Sequence, residues 1–149
     1  HDQARAAARF PDEASLLAWT ALSYFMKGTT LLYAGQEVCA THTPSLFERE
    51  PIDWRGGKDI SAYLRQLWEI KHRLPTGAVF RMETDDAQGL VCAAYEGPSS
   101  KAVGLFPLNG KPGMATVPLA DGTYPNALGG TLTVKDGKAE ITESAIVLL

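Results

Sequence analysis

The feature that most constrains this chain is a change of period near residue 75: apolar residues recur at helical spacing before it and gather into short runs between turn residues after it. Residues 12–27, DEASLLAWTALSYFMK, place Ala14, Leu17, Ala21 and Phe25 on one helical face, flanked by Trp19, Leu22 and Met26. Pro11 and the pair Asp12-Glu13 suit the start of a helix. Lys27-Gly28 suits its end, where glycine tolerates positive φ. Thr29-Thr30-Leu31-Leu32-Tyr33 then forms a β-branched and apolar run without alternation, which predicts a short strand buried on both faces of a parallel sheet and ending at Gly35. Residues 36–58 carry Pro44, Pro51, Gly56 and Gly57 with no clean period, which predicts a loop of roughly twenty residues, a length usually tied to function or disorder. Residues 59–73 predict a second helix, with Tyr63 or Leu64, Leu67, Trp68 and Ile70-Lys71 on its amphipathic face and Pro75 stopping it.

From residue 76 the runs 78–83, 90–95, 102–108, 114–119, 130–134, 138–141 and 145–149 are separated by Asp85-Asp86, Gly97-Pro98, Asn109-Gly110, Asp121-Gly122 and Asp136-Gly137. Asn-Gly and Asp-Gly between apolar runs are strong hairpin signals, so this half predicts about seven antiparallel strands in a small sandwich or barrel. The first half reads as the end of a strand, a helix, a strand, a long loop and a helix. Two such βα units cannot close a barrel, which needs eight units and ~200 residues or more. The expected fold is therefore an incomplete α/β repeat, with two helices and one to two strands, followed by an all-β antiparallel sandwich.

Lys and Arg number 14 against 17 Asp and Glu, a net charge of −3 that falls entirely in residues 76–149. No polybasic surface results, so neither nucleic acid nor an anionic membrane is an expected partner. The longest apolar stretches, residues 16–26 and 29–34, fall short of the ~20 residues that span a bilayer. The chain opens His-Asp-Gln, without an initiator Met or a signal-like segment, and reads as cut from something longer; its localisation is not legible. Cys39 and Cys92 lie far from any metal-ligand spacing and read as unpaired thiols. His42 reads as a solvated loop residue, and His72 lies beside Lys71 and Arg73, so neither a metal nor a cofactor is expected. Asp85-Asp86 and Asp121 read as turn residues that bond their own backbone.

Four segments, in this order, resemble the α-amylase superfamily, glycoside hydrolase family 13. His1-Asp2-Gln3 is followed at a helix's distance by Gly28-Thr29-Thr30-Leu31-Leu32-Tyr33-Ala34-Gly35-Gln36-Glu37, similar to the closing strands of that family's catalytic barrel; Thr30 stands where most members carry proline. Pro44-Ser45-Leu46-Phe47-Glu48-Arg49-Glu50-Pro51-Ile52-Asp53-Trp54 looks like the loop after strand eight. Asp121-Gly122-Thr123-Tyr124 and Val134-Lys135-Asp136-Gly137-Lys138 are similar to the C-terminal β-sandwich, domain C. The resemblance implies that residues 1–75 are an α/β barrel remnant, the C-terminal end of a (β/α)8 barrel, and residues 76–149 an α-amylase-type C-terminal domain.

The resemblance also implies a chemistry. Retaining glycosidases place a nucleophilic carboxylate and an acid/base about 5–5.5 Å apart around an oxocarbenium-like transition state. In the family a third carboxylate, that of the His-Asp motif, stabilises the developing charge. Asp2 matches it as a catalytic group, and His1 matches the adjacent sugar-binding histidine. Arg5 matches an arginine of members with a His-Asp-x-x-Arg pattern, as a substrate contact or a structural ion pair. Gln36-Glu37 is expected to tie the strand-eight exit to neighbouring loops. Phe47 and Trp54 are expected either to stack on a sugar or to pack the loop on the barrel rim. The nucleophile and acid/base have no counterpart in these 149 residues, so the parent is expected to be a retaining α-glucan hydrolase or glucanotransferase and this chain alone inactive. The alternative is a non-catalytic carbohydrate-binding or structural β-sandwich module, against which stands a second half with Tyr95 and Tyr124 but no Trp. Apolar helix faces and a strand without neighbours predict self-association, or a remnant packed mainly through the residue 59–73 helix onto the sandwich.

Overall fold

The structure, a computed structural model, describes residues 3–149. Helices α1 (Ala6–Arg9), α2 (Glu13–Phe25) and α3 (Ser61–Lys71) and a 3-10 turn at Gln36–Val38 precede eight strands. These are β1 (Val79–Asp85), β2 (Leu90–Glu96), β3 (Lys101–Pro107), β4 (Gly113–Thr116), β5 (Gly122–Pro125), β6 (Thr131–Val134), β7 (Lys138–Ile141) and β8 (Ala145–Leu148). Helix α2 starts where Asp12 accepts a hydrogen bond from the Ser15 N–H at 2.9 Å, which satisfies one of the free donors of the first turn. Gly110 lies against this cap at φ +68°, and a Cβ there would come within 2.3 Å of Asp12 Oδ2.

Strands β1-β2-β3-β8 form one antiparallel sheet, in that order, while β4 pairs with β7 and β5 with β6. The period of two divides this sheet between two cores. Val91, Ala93 and Tyr95 of β2, Ala102 and Phe106 of β3 and Ile146 of β8 join Ala21, Leu22, Phe25, Leu64, Leu67 and Ile70 of the helices. The alternate residues, Leu90, Ala94, Val103, Leu105, Ala145 and Val147, join Val117, Leu132, Val134 and Ile141 on the other side. The sheet is thus a middle layer, helices on one face and the short strand pairs on the other, which is why β2 and β3 read as nearly unbroken apolar runs.

Residues 29–33 are not a strand. Leu31 is 84% exposed, and no described residue outside the β-half forms a strand. A β-prone run stays unpaired unless another strand lies alongside, because its preference resides mostly in cross-strand packing and pairing. The expected one to two barrel strands are therefore not formed among the described residues. The eighth strand, β5, is Gly122-Thr123-Tyr124-Pro125; its two β-formers are bracketed by turn residues and read as part of the turn. Asn109-Gly110 makes a turn, with Gly110 N–H donating to the Pro107 carbonyl at 3.0 Å, but no hairpin. Both edges of β3 are already taken by β2 and β8, so the chain crosses to β4, which pairs with β7. Asp136-Gly137 is a tight turn with both residues at positive φ, 52° and 69°, and Asp121 accepts from both of their N–H groups.

Helix α2, rather than α3, makes the closest contact with the sheet. Phe25 sits 5.3 Å from the Tyr95 ring and 5.5 Å from Phe106, and the Tyr95 hydroxyl donates to the Phe25 carbonyl at 2.8 Å. Gly104 of β3 makes the room: a Cβ there would lie 2.5 Å from Phe106 Cζ and 3.2 Å from Phe25 Cδ1. Helix α3 joins the same core beside α2.

Candidate functional site

The segment Tyr33-Ala34-Gly35-Gln36-Glu37 folds into a turn that satisfies itself. Gln36 Oε1 accepts from the Tyr33 N–H, and Glu37 Oε2 accepts from the Gly35 N–H at 2.7 Å. The Val38 and Ala40 N–H groups both donate to the Gly35 carbonyl. Gly35 has φ +96°, and a Cβ would meet Ile52 Cγ2 at 3.0 Å, so both backbone and space call for glycine. The Gln36 and Glu37 side chains thus serve their own turn, not neighbouring loops. The outward tie is made by the backbone, where the Ile60 N–H donates to the Glu37 carbonyl at 2.8 Å and joins the turn to the start of α3.

Arg5 is the charged side chain built most deeply into this region, at 3% exposure. Its Nη1 donates to the Ala34 carbonyl at 2.6 Å and its Nε to the His42 carbonyl at 3.1 Å. The guanidinium also lies 4.1 Å over the Tyr33 ring. Nη2 is buried without a hydrogen-bond partner among the described residues. Burying a permanent cation is costly, and here two carbonyl dipoles and an aromatic face offset that cost. Nothing in the composition separates Arg5 from the exposed Arg9 four residues on; only the contacts do.

A cleft of about 350 Å³ opens beside Arg5, lined also by Thr41, His42, Pro44, Asp53 and Gly56. His42 is exposed, as expected, and bonds Glu50 Oε2 at 2.9 Å. That bond, with the Ser45 N–H, holds the Glu50 carboxyl below the usual range. Phe47 is 94% and Trp54 54% exposed, so neither packs on a rim among the described residues. His1 and Asp2, the residues the resemblance makes catalytic and sugar-binding, lie outside the described residues. Arg5, three positions after Asp2, is the one expected site residue the structure places.

Asp12, Glu50, Asp59, Asp85 and Asp121 all have carboxyls lowered from their ordinary values, chiefly by hydrogen bonds from side chains or backbone N–H groups. A general acid needs the opposite shift. Burial pushes the Cys92 thiol up to about 11, away from a reactive thiolate, and both cysteines are free. His72 bonds the Trp68 carbonyl. No cluster of His, Cys, Asp and Glu that could hold a metal occurs among the described residues, and no described helix is long and apolar enough to cross a membrane.

Residues 81–148 match the family model described as the bacterial α-amylase C-terminal domain. The whole chain superimposes on part of an α-amylase from Lactobacillus plantarum, with a TM-score of 0.89 and 27% identity, covering 100% of this chain and 36% of that one. It is also similar in fold to a noncanonic maltogenic α-amylase from Thermotoga neapolitana (TM-score 0.78, 18% identity, 100% and 39% covered). An α-amylase from Anoxybacillus gives a TM-score of 0.77 at 20% identity, with 100% and 36% covered. The chain therefore spans well under half the length of each of these structures. No curated protein matches it by sequence. The β-half thus matches the model of a bacterial α-amylase C-terminal domain, and the whole chain is similar in fold to part of each of these α-amylases.

Proposed function

We propose that this chain is the C-terminal part of a retaining glycoside hydrolase or glucanotransferase acting on α-glucans, with residues 1–75 from the end of its (β/α)8 barrel and residues 76–149 its domain C. The observation that carries the reading is the likeness of all 149 residues, helices and loop included, to one continuous part of an α-amylase at 27% identity. A free-standing carbohydrate-binding module would share the β-half alone. In this reading Asp2 stabilises the oxocarbenium-like transition state and His1 bonds the sugar. The nucleophile and the acid/base come from elsewhere in the parent. The helix layer supports the division of labour: α2 and α3 share a core with the sheet, so the β-half holds the end of the barrel in place.

The isolated chain is then catalytically inert, since the paired carboxylates act as a unit and their loss costs many powers of ten in rate. Incubation of the purified chain with an activated maltoside and with soluble starch tests this. No turnover is expected; turnover abolished by Asp2→Asn would overturn it. The parent reading is tested separately by the sequence that precedes His1 in the gene, where an aspartate and a glutamate ending two successive barrel strands are expected.

A further inference from the structure

We propose that Arg5 is a positioning residue: it clamps the chain just after His1-Asp2 onto the turn at residues 33–42, so that two of the segments bordering the 350 Å³ cleft move as one body. Three observations converge. The two carbonyls that accept from Arg5 belong to residues 29 and 37 positions away, so the bonds join segments that are distant in sequence. Those carbonyls, Ala34 and His42, sit at the two ends of the self-satisfied turn and are approached by different nitrogens of one rigid fork. The third anchor, the Tyr33 ring, lies under the guanidinium plane. A lysine could supply charge, but one ammonium offers neither the fork nor the flat stacking surface.

The same facts argue against a sugar contact by Arg5. A sugar ligand needs donors that reach the cleft, whereas this side chain is 3% exposed, Nε and Nη1 are committed to carbonyls, and Nη2 is sealed from solvent. The geometry of the clamp stands on the contacts alone. Only the statement that the clamped segments border a glucan site rests on the proposed function.

The test is amide hydrogen exchange on the 149-residue chain and its Arg5→Ala and Arg5→Lys variants, read at Val38, Cys39 and Ala40 against Ala93 and Val103 of the sheet. After correction for global stability, Arg5→Ala is expected to speed exchange at the three turn amides by about tenfold or more while the sheet amides stay unchanged, and Arg5→Lys to recover only part of the protection. In the unaltered chain the Arg5 Nε–H resonance is expected to be sharp and slow to exchange. Equal acceleration at turn and sheet, or none, would overturn the clamp, as would full recovery by lysine. So would a maltoheptaose-induced shift of the Arg5 Nε–H resonance with turn exchange unchanged in Arg5→Ala. If Arg5→Ala does not fold, the lysine variant alone carries the reading: local acceleration supports the clamp and wild-type protection overturns it. Because exchange is measured without glucan, a failed clamp and a failed glycosidase reading are separate results.

Discussion

Residues 29–33 and strand β3 look alike as sequence and end in opposite situations. Thr-Thr-Leu-Leu-Tyr lies outside any sheet with Leu31 at 84% exposure, while Lys101–Pro107 sits between β2 and β8 with Val103 and Leu105 at 1% and Phe106 at 0%. The difference is one of neighbours. β3 has strands on both edges and a core on each face; residues 29–33 have neither. A strand is a property of its surroundings more than of its own residues, whereas α2 closes its backbone hydrogen bonds within itself.

The largest expected effect probes how firmly the helices belong to the β-half. Phe25→Ala removes the ring shared with Tyr95 and Phe106 and should cost about 3–5 kcal/mol. Urea titration followed by circular dichroism should show one transition moved to lower denaturant; loss of helix ahead of the sheet would mean that the two regions fold independently. Gly104→Ala approaches the same contact from the sheet side. Its Cβ meets Phe106 and Phe25 too closely, and the overpacking should cost about 1–3 kcal/mol in the same titration.

Acidification separates the turn chemistry of the two halves. Asp12, Asp59, Asp85 and Asp121 have folded-state pKa values below their unfolded ones, so the stability they add is present above the unfolded value and is lost as pH falls through the folded one. The melting temperature should therefore drop below about pH 4, and Asp121→Asn, which does not titrate, should flatten part of that drop. The smallest effect is expected at Leu31→Lys, within about 0.5 kcal/mol, because its side chain is already in water. A larger loss in thermal melts would show that residues 29–33 are packed in solution and would dissolve the contrast with β3.

Much of the fold was legible because its cues are local. The helix α2 with its start at Asp12-Glu13, the stop after α3 and the Asp136-Gly137 turn each depend on residues within a few positions of one another and appear close to where expected, but the buried face of α2 is turned: Ser15, Leu16, Ala18 and Tyr24 are buried, while Ala14, Trp19 and Met26 are exposed. β5 was not legible, since two β-formers between Gly122 and Pro125 resemble a turn until β6 pairs with them. The route of the Asn109-Gly110 turn depends on which edges of β3 are free, and that is settled by β8, some forty residues on. At the candidate site the motif pointed to Arg5, but its role hinges on the carbonyls of Ala34 and His42 and the ring of Tyr33. No spacing within residues 1–10 encodes those partners.

By itself, the sequence determined that α2 and α3 form and about where they end, though not α1, where the chain turns tightly and that residues 76–149 form antiparallel β structure, because period and turn chemistry act over a few residues. Only the tertiary structure decided that the central sheet serves two cores at once, that α2 rather than α3 lies closest on it, that residues 29–33 stay unpaired and that Arg5 faces carbonyls instead of solvent. Those outcomes depend on which distant surfaces meet, and burial, strand pairing and the desolvation of a charge take their value from that meeting.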